Sequence, residues 1–336
     1  MKGIMKSALL SLFALVFVSH ILNAATYYAS PFGGADADFS LENPGSLQAA
    51  VKAACTNATR TSWNDCDTVV LLPGTYDFRD GSKGAANKSI TGDTLTNNIV
   101  ISRNYIRVIS QSRSPTNTII MGAFTSASKT RAFALKGIIE FSGITVSNFY
   151  TSEGSGSAIC CADTTPVITN CIFTKNGNGY ARGGAVYKGS VYNSKFLTNG
   201  STTDKCYGAG TFHSKVYNSY YKGNQTGRDG GAARYGECYN CIFDSNYSHG
   251  MAGGAVSNVK CTDCVFINNK SNQFGSTALS STLINCVITN SSGTVAVNGG
   301  KCINTEIVKC KSGAALDAVL VDCLIENNVA EKVTPG

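Results

Sequence analysis

Charge is scarce in this chain. Only 15% of the 336 residues are charged, and the 28 Lys and Arg are scattered instead of clustered, which argues against a nucleic-acid partner. The 21 acidic residues form no paired-aspartate motif. The two convergent carboxylates of glycoside hydrolysis are therefore missing from the pattern, and so is the carboxylate cluster of a calcium site. Beyond the first 25 residues no run is apolar enough to cross a bilayer. A nucleic-acid binder and a transmembrane protein are both set aside.

What is present begins at the N-terminus. Lys2 and Lys6 precede the apolar run "ALLSLFALVFVSHIL" and the small residues "NAAT". That order describes a secretory signal, residues 1–25, removed near Ala24 or Ala25. The protein is expected outside the cytosol: secreted, at a cell surface or in a periplasm. Removing the signal takes two lysines from a formal charge of +7, leaving about +5. In such a compartment the 14 cysteines have disulfides open to them.

Many of the 35 glycines fall in a repeat. "GGAVYKGSVYNSKFLTN" from Gly183 recurs as "GGAARYGECYNCIFDSN" from Gly230 and "GGAVSNVKCTDCVFINN" from Gly253. Seven ungapped windows start at Gly183, Gly208, Gly230, Gly253, Gly275, Thr294 and Ser312, with weaker copies upstream, and only the connections between windows vary. A period of this size indicates a solenoid. One column holds Phe173, Phe196, Tyr221, Phe243, Phe266, Ile288, Ile307 and Ile325, which must face inward. Two residues earlier stand Cys171, Ser194, Ser219, Cys241, Cys264, Cys286, Thr305 and Cys323, small and also inward by the strand period. A further inward column runs from Ile168 through Val191, Val216, Cys238 and Cys261 to Leu320, and its spacing requires a bend at the Asn/Asp column of Asn170, Asn193, Asn218 and Asn240.

Short strands with bends make an all-β, parallel β-helix whose coils stack about 4.8 Å apart. Asn176, Asn199, Asn224, Asn246 and Asn269 would form a hydrogen-bonded ladder along one corner. Asn199, Asn224, Asn246 and Asn269 are also glycosylation triplets, but ladder positions leave no amide for a glycan. Upstream, Leu47, Ala50, Val51, Ala54 and Cys55 share one helical face behind Ser46 as N-cap. This short helix is expected to cap the first coil. Residues 26–80 thus read as cap and first coil, and 81–336 as repeats. Cys55 and Cys66 flank a polar loop and are expected to form a disulfide worth about 3 kcal/mol.

"YYASPFGGADADFSLENPGSLQAAVKAA" followed by "DTVVLLPGTY" resembles the start of right-handed parallel β-helix proteins of the pectin-lyase-like superfamily. The GGAV and GGAA tetrads, with FTKN, FLTN, FDSN and FINN, resemble the paired repeats of polymorphic outer-membrane-protein adhesins. The first resemblance implies the fold, its right hand and a superfamily that includes polysaccharide lyases. The second covers Gly183 to Asn269 and implies surface adhesion, but no membrane barrel follows Asn328, so release, periplasmic retention or another anchoring system is expected. The last coil shows no cap, and its edge is expected to be covered by a partner, by self-association or by a further segment.

Lys188, His213 and Tyr235 fill one column of successive coils, beside Arg234 and the Arg228–Asp229 pair. A lyase needs a base and a cation for a uronate carboxylate, so these are the candidate catalytic residues; bound Ca2+ enters only under that reading, and no other cofactor is expected. Asp204 and Asp229 occupy unmatched positions. Tyr192, Tyr217 and Tyr239, with Tyr220 nearby, form an outward column that could bind sugar rings or a partner. Cys238-x-x-Cys241 and Cys261-x-x-Cys264 have zinc-like spacing, but all four fall in inward columns, so no metal is expected. Two functions remain: non-catalytic adhesion or glycan binding, which the regular repeats favour, and lysis of an acidic glycan.

Overall fold

The computed structural model describes residues 24–56, 60–79, 85–86, 88–93, 95–123, 130–151, 154–179, 182–200, 206–250 and 252–329. Residues 1–23 of the expected signal sequence, and Asp204, lie outside them. Among the described residues, thirty-five short strands wind into a parallel β-helix, 24 in one continuous wrapped sheet and 11 in a second wall. Among the described residues the strand pairings are parallel, except where Ala85–Ala86 meets Thr96–Asn97 and where Tyr150 meets Thr130.

Register follows the sequence columns. Phe173, Phe196, Tyr221, Phe243 and Phe266 are successive partners in the 11-stranded wall. They are fully buried, with ring centroids 5.1, 4.6, 4.7 and 4.8 Å apart. Burying a ring of this size removes about 150–250 Å² from water, so this stack is the axis of the core. The Ile168-to-Cys302 column is equally buried on the adjoining strands.

Three bends per coil let the strands close. At the asparagine bend, Asn170, Asn193, Asn218 and Asn240 have φ of 49–50°, a left-handed conformation that Asn tolerates because its side chain bonds locally. The second bend delivers the buried ladder. The Asn199 backbone N–H and Nδ2 both donate to Asn224 Oδ1, at 3.0 and 2.9 Å, while Asn199 Nδ2 also donates to the Phe173 carbonyl. The same pattern links Asn176, Asn199, Asn224, Asn246 and Asn269, all fully buried.

The small inward column is a second ladder. Each hydroxyl or thiol donates to the carbonyl two residues earlier, as Ser194 does to Tyr192 and Cys241 to Tyr239. It also accepts from a backbone N–H one coil back, as Ser194 does from Cys171 and Cys264 from Cys241. The four CxxC cysteines face this interior, where they act as small hydrophobes with a weak donor; burial pushes the Cys171 thiol up to about 12.

The helix forms as Leu47–Thr56, burying Leu47, Ala50, Val51 and Ala54 against the first strands, with Ser46 Oγ accepting from the Ala49 N–H. The expected Cys55–Cys66 disulfide is not made: both thiols are free. Cys55 packs against the core at the end of the helix, where burial raises its thiol to about 11. The Cys66 thiol is instead turned toward the Thr68 hydroxyl, 4.0 Å away. At the other end, Leu320 and Ile325, inward by column, are 38% and 44% exposed.

Candidate functional site

The third bend of each coil carries the candidate column. Lys188, His213 and Tyr235 sit there at φ of 59°, 56° and 52°, followed in later coils by Asn258, Ser280, Gly299 and Asp317 at the same bend. The preceding residue of each coil points outward in register: Tyr187, Phe212 and Arg234. Sequence and fold therefore place six large side chains on three adjacent coils.

Their rings pack together. His213 stacks on Tyr235 with centroids 4.8 Å apart and planes at 11°. Phe212 meets both edge-on and stacks on Tyr187 at 5.9 Å. From the connection before the His213 coil, Tyr207 meets two guanidinium groups. Arg234 lies 4.0 Å from its ring centroid and Arg228 5.1 Å, and Arg228 Nη1 donates to the Tyr207 hydroxyl at 2.5 Å. Stacking holds these cations by attraction to the ring quadrupoles.

The charges of this strip are unequal in sign. The strip carries Arg182, Lys188, Arg228 and Arg234, and Arg234 lies 3.6 Å from Oδ2 of the buried Asp229. Asp229 Oδ1 and Arg234 Nε are buried with no hydrogen-bond partner, so the pair is incompletely made. Lys188 Nζ donates to the Ala162 carbonyl at 2.8 Å and lies over the Tyr187 ring. His213 is exposed, yet its basicity is lowered, first by partial burial and then by Lys188, Arg182 and Arg234.

The structure thus brings Lys188, His213, Arg234 and Tyr235 together. The expectation omitted Arg182, Tyr187, Tyr207 and Phe212. Tyr187 and Phe212 were legible as the neighbours of an outward column; Tyr207 and Arg182 lie in connections, which alignment of the windows ignores.

Tyr192, Tyr217 and Tyr239 lie on the next strand of the same coils. Their centroids are 4.7 and 5.0 Å apart and their planes within 9°, so Tyr217 has both faces covered by its neighbours and offers an edge. Tyr239 donates to Glu237 at 2.8 Å, which raises its hydroxyl to about 12. Tyr220, on the 11-stranded wall, donates to Asp244 at 2.8 Å and is separate from the strip. Among the described residues no group of three His, Cys, Asp or Glu is set to hold a metal, and no helix is long and apolar enough to cross a membrane.

No protein-family model matches the sequence, and no curated protein does. Among solved structures, the PL6-family alginate lyase AlyGC is 11% identical, with a TM-score of 0.47, over 88% of this chain and 40% of that one. Pectate lyase Pel9A is 13% identical, with a TM-score of 0.42, over 92% of this chain and 79% of that one. The A-module of mannuronan C-5 epimerase AlgE4 from Azotobacter vinelandii is 12% identical, with a TM-score of 0.34, over 82% and 72%. The chain spans about two fifths of the length of the first of these. What assigns the parallel β-helix is the strand register of this chain itself.

Proposed function

We propose that this is an exported, non-catalytic glycan-binding protein whose cation and aromatic strip holds a stretch of acidic polysaccharide. The observation that carries the reading is the composition of the strip: four cations, three of them fixed on ring faces, while the two nearby carboxylates are already engaged, Asp229 by Arg234 and Asp93 by Arg131. A uronate presents a carboxylate to such guanidinium forks and a ring face to aromatic edges and faces. Three coils stacked at about 4.8 Å give a strip of roughly 14 Å along the axis, enough for a short run of sugars. Display at a cell surface or in a periplasm follows from the expected signal sequence and belongs to the same proposal.

Binding without turnover is favoured by what the groups already do. The Lys188 amine is engaged by a carbonyl, and Arg234 is stacked and paired. One observation supports the second reading, a lyase: His213 is exposed and stands among Lys188, Arg182 and Arg234, an imidazole beside cations. Titrating purified protein with alginate and polygalacturonate by calorimetry, while following the ultraviolet absorbance of unsaturated uronates, separates the two. Binding without absorbance change is expected. A rise in absorbance that His213→Ala or Lys188→Ala abolishes would replace the binding reading with the lyase.

A further inference from the structure

The strip is closed at one end and open at the other. Its outward column continues toward the N-terminus as Cys160 and Ala134, the in-register partners of Tyr187 and of Cys160. Both are fully buried, whereas Tyr187 is half-buried. What covers them is an excursion from the coil: the helical turn Lys88–Thr91 packs on strands Thr130–Leu135 and Ile159–Cys161, with Ile90 buried beneath. Toward the C-terminus the outward column continues as Ser257, buried, and Leu279, half-buried, while the bend beside it carries Asn258 and Ser280, both exposed, with no helical turn over them among the described residues.

Where wall and strip meet there is a half-open cavity of about 350 Å³, lined by Thr91, Gly92, Asp93, Gly154, Ser155, Arg182 and Tyr187. The wall is fixed by chemistry. Arg131, with no exposed surface, donates to Asp93 Oδ2 at 2.7 Å, to Asn97 Oδ1 at 2.6 Å and to the carbonyls of Ser155 and Gly156. A buried guanidinium with this many acceptors is a rigid support. Gly154, at φ 83°, lets the wall approach: a Cβ there would stand 2.2 Å from Asp93 Oδ2.

We infer that this cavity receives the terminal sugar of the bound chain, so that the protein recognises polysaccharide ends and not internal stretches. The inference rests on the proposed glycan binding and specifies how the chain is seated. A sugar ring fits a site of this volume, and Arg182 and Tyr187 belong to both cavity and strip, so a chain running along the axis from the open side must stop at the Asp93 wall. Internal segments would have to climb over it.

Stoichiometry tests this. Size-fractionated polygalacturonate and alginate of short and long chain length are titrated into the full chain by calorimetry. One protein per polysaccharide chain, whatever its length, is the expected result. If the number of proteins bound grows in proportion to chain length, end recognition is wrong while glycan binding stands. If neither polymer binds at any length, both are overturned. Gly92→Asn supplies an independent check, because Gly92 has φ 75° and open space where a side chain would project, and Asn tolerates that conformation. It should weaken binding by about tenfold with an unchanged melting temperature; unaltered affinity in the folded variant would remove the cavity from the site.

Discussion

Two bends of the same coil, five residues apart, share one backbone conformation and obey opposite rules. At the asparagine bend, Asn170 through Asp322 hold φ of 46–54° with a single residue chemistry, and every member is exposed. At the variable bend, Lys188, His213 and Tyr235 hold 52–59° with long or aromatic side chains. Later coils return to Asn258, Ser280 and Gly299 at that same bend. Left-handed backbone costs an L-residue about 1–2 kcal/mol unless it is Gly, Asn or Asp. The asparagine bend avoids that cost by residue choice; the variable bend meets it in three coils through ring stacking and cation placement. Lys175, Thr198 and Ser245 at the ladder bend also hold φ of 51–56°, so it is the ring and cation packing, and not the left-handed backbone, that sets the variable bend apart.

The comparison is broken most severely by disturbing the buried ladder that both bends depend on. Asn224→Ala leaves the Asn199 N–H and Nδ2 without their acceptor and the Phe196 carbonyl without its donor. At about 1–3 kcal/mol for each buried unsatisfied group, a loss of about 3–5 kcal/mol in urea unfolding is expected. Asn240→Ala, at the exposed bend, forfeits one amide bond to Asn218 and the left-handed tolerance, together about 1–2 kcal/mol. Equal losses would mean that the two asparagine columns do the same work.

The variable bend predicts a change of opposite sign. Lys188→Asn relieves left-handed strain and removes the Nζ bond to the Ala162 carbonyl. Stability should hold or rise by up to about 1 kcal/mol, while affinity for an acidic glycan falls. Melting temperature and calorimetric titration of the one variant read both quantities. A fall in stability with intact binding would make Lys188 a structural residue.

The core was legible in the sequence because a repeat samples each position many times. Phe196, Phe243 and Phe266 announce an inward column, and Asn199 through Asn269 a ladder, since one environment recurs in every coil. The asparagine bend followed from a three-residue spacing. The site was only half legible for the same reason. Lys188, His213 and Tyr235 stand out as a column that varies, but Tyr207, Arg182 and the Asp93 wall lie in connections that have no counterpart in other coils. The Cys55–Cys66 pairing failed because sequence proximity across a loop does not set where a thiol points; one cysteine ends a helix and the other precedes a strand.

The smallest expected effect reads the strip by its charge. His213 is held below the ordinary histidine range, largely by partial burial and then by Lys188, Arg182 and Arg234. A folded-state value below the unfolded one means that the unfolded chain takes up the proton first as pH falls. Stability therefore declines as pH drops from the ordinary histidine range to the lowered value, and levels off below it. A bound polyanion reverses the balance: it favours the imidazolium, so affinity for an acidic glycan should increase over the same window. The protein has three histidines, and His20 lies in the N-terminal apolar run, which leaves His213 and His249 to be assigned by proton NMR. His213 should titrate below the ordinary range in free protein and shift upward on adding glycan, and His213→Gln should flatten the pH dependence of both stability and affinity. Titration at or above the ordinary value in free protein would mean that the cations do not converge on this ring, and the strip would lose the charge asymmetry on which its ligand was assigned.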